Sequence, residues 1–205
     1  MKTLILTAAC VVILAGCTQV RSQSSVNTSN ATNAGRPVMP TSDSAATAPK
    51  VGESAPDFKL PYATQEQIYL KPDEYLSLSG QRGKNVILAF YPADWSGGCT
   101  KEVCTLRDTF AELSKLNATV LGISGDYVFS HQEWAKFHKL QFPLLSDHDH
   151  KVARAYNSYN EGAGYNKRTV FLIDKAGVVR YVNLEFKAGE AADYNRLKEE
   201  LAKLK

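Results

Sequence analysis

Residues 86–116 constrain the fold more than any other stretch. Val86–Tyr91 (VILAFY) is an unbroken apolar run of strand length, rich in β-branched and aromatic residues. Such a run, with no polar residue alternating in it, predicts a strand buried on both faces. Pro92 ends it, and Gly97-Gly98 breaks the chain again. From Cys99 onward the apolar residues Val103, Leu106, Phe110, Leu113 and Leu116 recur at helical spacing. A buried strand therefore runs almost directly into a long helix, and Cys99 lies in the first turn of that helix.

The rest of the chain extends this pattern. Ala55–Pro61 predicts a short edge strand bounded by prolines, and 62–85 reads as polar and turn-rich. Thr119–Ile123 predicts a second buried strand, and Phe129–Leu140 a helix with Trp134 and Phe137 on one face. Short elements follow at Phe142–Leu145 (strand) and Val152–Tyr156 (helix). Thr169–Ile173 predicts a third central strand. It leads through the turn Asp174–Gly177 into a hairpin partner at Val178–Leu184, and Glu190–Leu204 closes the chain as an amphipathic helix. Strands alternating with helices, with a hairpin near the end, predict an α/β fold of thioredoxin-like arrangement, its mixed central β-sheet flanked by helices. No internal repeat is visible.

Charge excludes one class of partner. The chain carries 24 Lys and Arg against 21 Asp and Glu. The first fifty residues hold Lys2, Arg21, Arg36 and Lys50 but only one acid, Asp43, so the remainder is neutral. A neutral domain lacks the basic field that nucleic-acid binding needs. The cysteines are Cys10, Cys17, Cys99 and Cys104, two near the start and two close together in mid-chain. A disulfide-stapled scaffold spreads its cysteines across loops, so this placement predicts a reactive pair instead.

The N-terminal fifty residues read as targeting and linkage. Met1-Lys2 is followed by Leu4–Ala15 without a charge, the length of a signal-peptide core and short of the roughly 20 residues a bilayer span takes. It ends in Leu14-Ala15-Gly16-Cys17, which resembles a bacterial lipobox. That resemblance implies that residues 1–16 are removed, Cys10 with them, and that Cys17 becomes a lipidated N-terminus. An ordinary signal peptide cut at another small-residue site is the alternative. Residues 18–50 are rich in Ser, Thr, Asn and Ala with no hydrophobic periodicity, and predict a flexible tether. The expected organisation is thus leader 1–16, tether 17–50 and folded domain 51–205. The expected location is outside the cytoplasm on a bacterial membrane, the outer one, facing the periplasm, in a Gram-negative cell, since no Asp follows Cys17.

At Cys99 the local physics favours an anion. Free backbone N–H groups and the positive end of a helix dipole both stabilise a thiolate there. The surrounding residues resemble those of peroxiredoxins, which carry Pro-x-x-x-Thr/Ser-x-x-Cys; Pro92, Ser96 and Cys99 occupy those positions. Glu102, three residues on, and Arg168, just before the apolar strand Thr169–Ile173, match two further positions of the family. Cys104, five residues after Cys99, points to the bacterioferritin comigratory protein (peroxiredoxin Q) branch. Serine at 96, where the family usually has threonine, keeps the hydroxyl. The resemblance spans roughly residues 51–204.

What it implies is specific. Cys99 attacks a peroxide and becomes a sulfenic acid, while Ser96 and Arg168 hold the peroxide oxygens. Pro92 shields the site, Glu102 orients the arginine or a backbone group, and Cys104 condenses with the sulfenic acid to give a disulfide. A thioredoxin-like protein then reduces that disulfide; the protein is a monomer and needs no cofactor. Residues five apart in an intact helix would have Cα atoms roughly 8–9 Å apart, beyond the ~7 Å limit for a disulfide. Oxidation is therefore expected to unwind residues 98–106.

Other readings of these residues stand beside this one. Cys104 is also compatible with an inert helix position, and Arg168 with a surface ion pair. Tyr91 and Trp95 read as core or pocket wall. His148 and His150 read as part of a solvated, Asp-capped helix start rather than a metal pair, and Gly162-Ala163-Gly164 as a loop. Two rival functions share the fold: a membrane-anchored thiol–disulfide oxidoreductase, which wants Cys-x-x-Cys, and a copper chaperone, which wants Cys-x-x-x-Cys and a distant His. The spacing here is Cys-x-x-x-x-Cys and fits neither.

Overall fold

A computed structural model describes residues 47–204. The leader, Cys17 and most of the tether lie outside the described residues. Eleven strands and four α-helices follow one another: β1 (Lys59–Leu60), β2 (Tyr62–Ala63), β3 (Ile68–Tyr69), β4 (Leu76–Ser77), β5 (Asn85–Phe90), α1 (Gly97–Lys115), β6 (Ala118–Ser124), α2 (Val128–His138), β7 (Leu144–Ser146), α3 (Lys151–Ala155), β8 (Tyr159–Asn160), β9 (Tyr165–Asn166), β10 (Thr169–Ile173), β11 (Val179–Asn183) and α4 (Ala191–Ala202).

The main sheet has seven strands in the order β11-β10-β5-β6-β7-β2-β3. β5, β6 and β7 are parallel, and the outer pairs are antiparallel. Every residue of β5 is buried, as its unbroken apolar run demands. The two-residue period of the strands divides the core. Ile87, Ala89, Val120 and Leu172 face α1, α2 and α4, joined by Val103, Leu106, Trp134, Leu197 and Leu201. Val86, Leu88, Leu121 and Phe171 face the other way, under α3 and the N-terminal segment, with Phe58, Leu78, Val152 and Tyr156. The mixed α/β sheet flanked by helices is the expected one.

Two expectations need correction. The expected edge strand at 55–61 shortens to β1, which pairs with β4 outside the main sheet. The segment read as turns also supplies β2 and β3, which extend the main sheet past β7. These are two-residue pairings, too short to show periodicity; the stacked rings of Tyr62 and Tyr69, 4.2 Å between centroids, hold them in register. In α2 the buried face is Val128, His131, Trp134 and Ala135, whereas Phe137 is 72% exposed, so Trp134 and Phe137 do not share a buried face.

Candidate active site

The site forms where β5 hands over to α1. Ser96 is the N-cap of α1, in extended conformation, and its Oγ accepts the backbone N–H of Cys99 at 3.4 Å. Cys99 is fully buried. The antiparallel pairing of β10 with β5 sets Thr169 opposite Phe90, so the start of β10 meets the end of β5. Arg168, one residue earlier, thereby reaches the first turn of α1 although it is distant in sequence. Its Nη2 donates to Cys99 Sγ at 3.4 Å, and its Nη1 donates to Glu102 Oε2.

Glu102 lies one turn after Cys99 on the same buried helix face. Burial pushes its pKa up to about 7, with Arg168 pulling in the opposite direction, and its Oε1 has no partner. Burial works against the charge of Arg168, but the Glu102 carboxylate and the Cys99 sulfur outweigh it and raise the pKa of the guanidinium. One cation thus links a buried sulfur to a buried carboxyl. A Cβ added at Gly98 would come within 3.2 Å of Arg168 Nη2.

Residues up to 72 positions apart in the sequence therefore meet: Ser96, Cys99, Glu102 and Arg168 form one cluster, with Pro92 in the loop that enters it. The sequence profile of the AhpC/TSA family matches residues 51–182. This chain belongs to that family.

It is a peroxiredoxin, a thiol-dependent peroxidase of the Bcp/peroxiredoxin Q branch. A Coxiella burnetii protein named for the bcp type of peroxiredoxin is 44% identical over 139 residues, 65% of this chain and 87% of that one. Peroxiredoxin Bcp of Bacillus subtilis (strain 168) is 35% identical over 136 residues, 62% of this chain and 80% of that one. Among solved structures, Peroxidoxin BcpB from Mycobacterium tuberculosis superposes with a TM-score of 0.65 at 31% identity, covering 77% of this chain and 99% of that one.

The second mid-chain cysteine of this peroxiredoxin has different surroundings. Cys104 is half-buried, and both cysteines are free thiols on the one continuous helix α1. Its Sγ lies 3.6 Å from Nδ1 of His138, at the end of α2. Trp134, Phe137 and Trp95 lie beside the half-buried His138 ring, at centroid distances of 5.8, 4.9 and 6.4 Å. Sequence reasoning did not single out His138: it lies 34 positions from Cys104, and no local pattern marks it.

A buried polar network under the entry loop was also missed. Tyr91 Oη donates to Asp94 Oδ1 at 2.8 Å, and Asp94 Oδ2 meets His131 Nδ1 at 2.9 Å. The backbone N–H of Asp94 donates to Asp126 Oδ2, which also accepts from Ser124 Oγ. This network ties residues 91–94 to β6 and α2 and fixes the approach to Ser96. Tyr91 is fully buried core; Trp95 is 52% exposed, at a positive φ of 61°, with Nε1 donating to Ser130 Oγ.

His148 and His150 are tied locally, His148 to Tyr127 Oη and the Gly125 carbonyl, His150 to Asn166 Oδ1. Asp147 caps α3 through the backbone N–H groups of Val152 and Ala153, but it is fully buried, so this helix start is less solvated than expected. Gly162–Gly164 lie in the turn between β8 and β9.

Proposed function

We propose that Cys99 is the peroxidatic nucleophile and Cys104 the resolving thiol, acting on hydrogen peroxide or small organic hydroperoxides. The observation that carries this reading is the single guanidinium of Arg168 set against both Cys99 Sγ and Glu102. The remaining N–H groups of that cation can stabilise charge developing on the leaving oxygen. Attack of the thiolate on one peroxide oxygen breaks the O–O bond. The sulfur becomes sulfenic acid, and the other oxygen leaves as alkoxide or hydroxide and takes up a proton. The Ser96 hydroxyl helps hold the peroxide, and Pro92 limits water.

Cys104 thiolate then attacks the sulfenic sulfur, releasing hydroxide and forming the disulfide. The two positions lie five apart in an unbroken helix, so the first turns of α1 unwind in this step. A thioredoxin-like dithiol returns the pair to the reduced state, and the protein acts as a monomer. The leader-like sequence of residues 1–16 supports a location outside the cytoplasm, on a membrane through lipid at Cys17 and the tether that follows.

The test is rapid-mixing kinetics of the reduced domain with hydrogen peroxide, beside Cys99→Ser and Cys104→Ser. Fast oxidation that vanishes in Cys99→Ser, with a stable sulfenic acid in Cys104→Ser, is the expected pattern. Oxidation of the parent no faster than that of a free thiol would refute it.

A further inference from the structure

We propose that His138 is the general base of the resolving step: its Nδ1 takes the proton of Cys104 before that sulfur attacks Cys99. The inference rests on the reading of Cys104 as the resolving thiol and adds a residue from another helix to it.

Three features of the site support this role. Nδ1 of His138 is 3.6 Å from Cys104 Sγ, an ordinary separation for a hydrogen bond with a sulfur partner. The ring is positioned from several sides. Arg107, on the same helix as Cys104, donates from Nη1 to the His138 carbonyl at 2.8 Å. Trp134 meets the ring edge-on and Phe137 packs at 83° to it, so the imidazole is held facing α1. Finally, burial and the nearby Arg107 cation lower the His138 pKa. Near neutral pH the imidazole is then uncharged, with a lone pair able to accept a proton.

The balance closes without an added reagent. The Cys104 proton moves to Nδ1, leaving a thiolate and an imidazolium. The thiolate forms the S–S bond at Cys99 as the S–O bond of the sulfenic acid breaks, and hydroxide leaves. Hydroxide takes the proton from the imidazolium, giving water and neutral His138. The contact also gives the order of events: the proton passes while α1 is intact, and the charged sulfur then leaves His138 as the helix unwinds.

The experiment uses rapid acid quench followed by thiol alkylation and mass counting, because Trp95 and Trp134 flank His138 and their emission would change with any substitution there. The peroxide-dependent loss of the Cys99 thiol is the internal reference, and disulfide formation is the step scored. His138→Asn keeps a hydrogen-bonding group near the Nδ1 position but cannot take the proton. It is expected to slow disulfide formation relative to the reference by about 100-fold, within the range that general bases contribute. In His138→Ala, added imidazole should restore the rate, and a more basic methylimidazole should restore it further. Disulfide formation at the parent rate in His138→Asn, or a His138→Ala rate indifferent to the basicity of the added imidazole, would overturn the proposal. Disulfide formation persisting in Cys104→Ser would instead overturn the resolving role of Cys104 itself.

Discussion

The two cysteines of α1 lie little more than one helical turn apart and are held in opposite ways. Cys99 is enclosed: its N–H is capped by Ser96, its sulfur faces Arg168, and no part of it reaches solvent. Cys104 is half-exposed, and its side chain has a single hydrogen-bond contact, to His138. The contrast suits the roles proposed for them. A nucleophile benefits from a preorganised, water-poor site whose dipoles need not move. A thiol that must travel to its partner benefits from weak ties that can be released at little cost. On the proposed roles, one helix serves as a rigid cage at its start and as a releasable arm a turn later.

The comparison can be broken at the rigid end first. Cys99→Ser should abolish peroxide turnover altogether, as read by peroxide consumption with a dithiol reductant. Arg168→Met keeps an unbranched apolar stem and removes the guanidinium with its charge. It is expected to lower the second-order rate constant with peroxide by about 100- to 1,000-fold, the loss typical of removing one transition-state hydrogen-bond donor.

Glu102→Gln should cost less, about ten-fold in that rate constant, since it loosens the arginine without removing it. Its clearer signature is in stability. The Glu102 carboxyl is raised from 4.5 to about 7 in the folded chain. Between those values the folded state binds more protons than the unfolded one. This group's contribution to stability is therefore fully present below about 4.5 and is lost as pH rises through about 7. Urea unfolding at several pH values should show that component in the parent and not in Glu102→Gln. The smallest effect belongs to the cap: Ser96→Ala should cost about 1 kcal/mol of stability by the same measurement, and Ser96→Thr far less. If Cys104→Ser destabilised the fold as much as Cys99→Ser, the contrast between cage and arm would itself fail.

Much of this was legible in the sequence, for reasons tied to particular residues. β5 could be read because six consecutive buried positions leave no room for polar alternation. Pro92, Ser96, Cys99 and Glu102 were marked by the resemblance to the peroxiredoxin pattern, which is compact because a strand-to-helix junction brings near neighbours in sequence together. Arg168 was found by its place before a central strand, and the antiparallel register of β10 on β5 explains why that place leads to Cys99. What stayed hidden depends on tertiary approach alone. His131 and Asp94 are 37 positions apart, and nothing local in either segment announces their hydrogen bond. His131 lies three residues before Trp134, a spacing that many exposed histidines share. His138 is hidden in the same way, because only the packing of α2 beside α1 brings it to Cys104. Phe137 misled because i, i+3 spacing marks a common face without saying which side of the helix is buried.

Gly98 gives the site one further property. With a methyl group at that position, the nearest guanidinium nitrogen would stand only 3.2 Å away and would have to yield by a few tenths of an ångström. Arg168 has its sulfur contact because residue 98 leaves it that clearance. Gly98→Ala is accordingly a wedge rather than a deletion: it changes no charge and removes no hydrogen-bonding group, and shifts only the reach of one side chain. Residue size at position 98 becomes a graded setting for the site, through which related sequences could weaken the grip on the sulfur while keeping every reacting group in place.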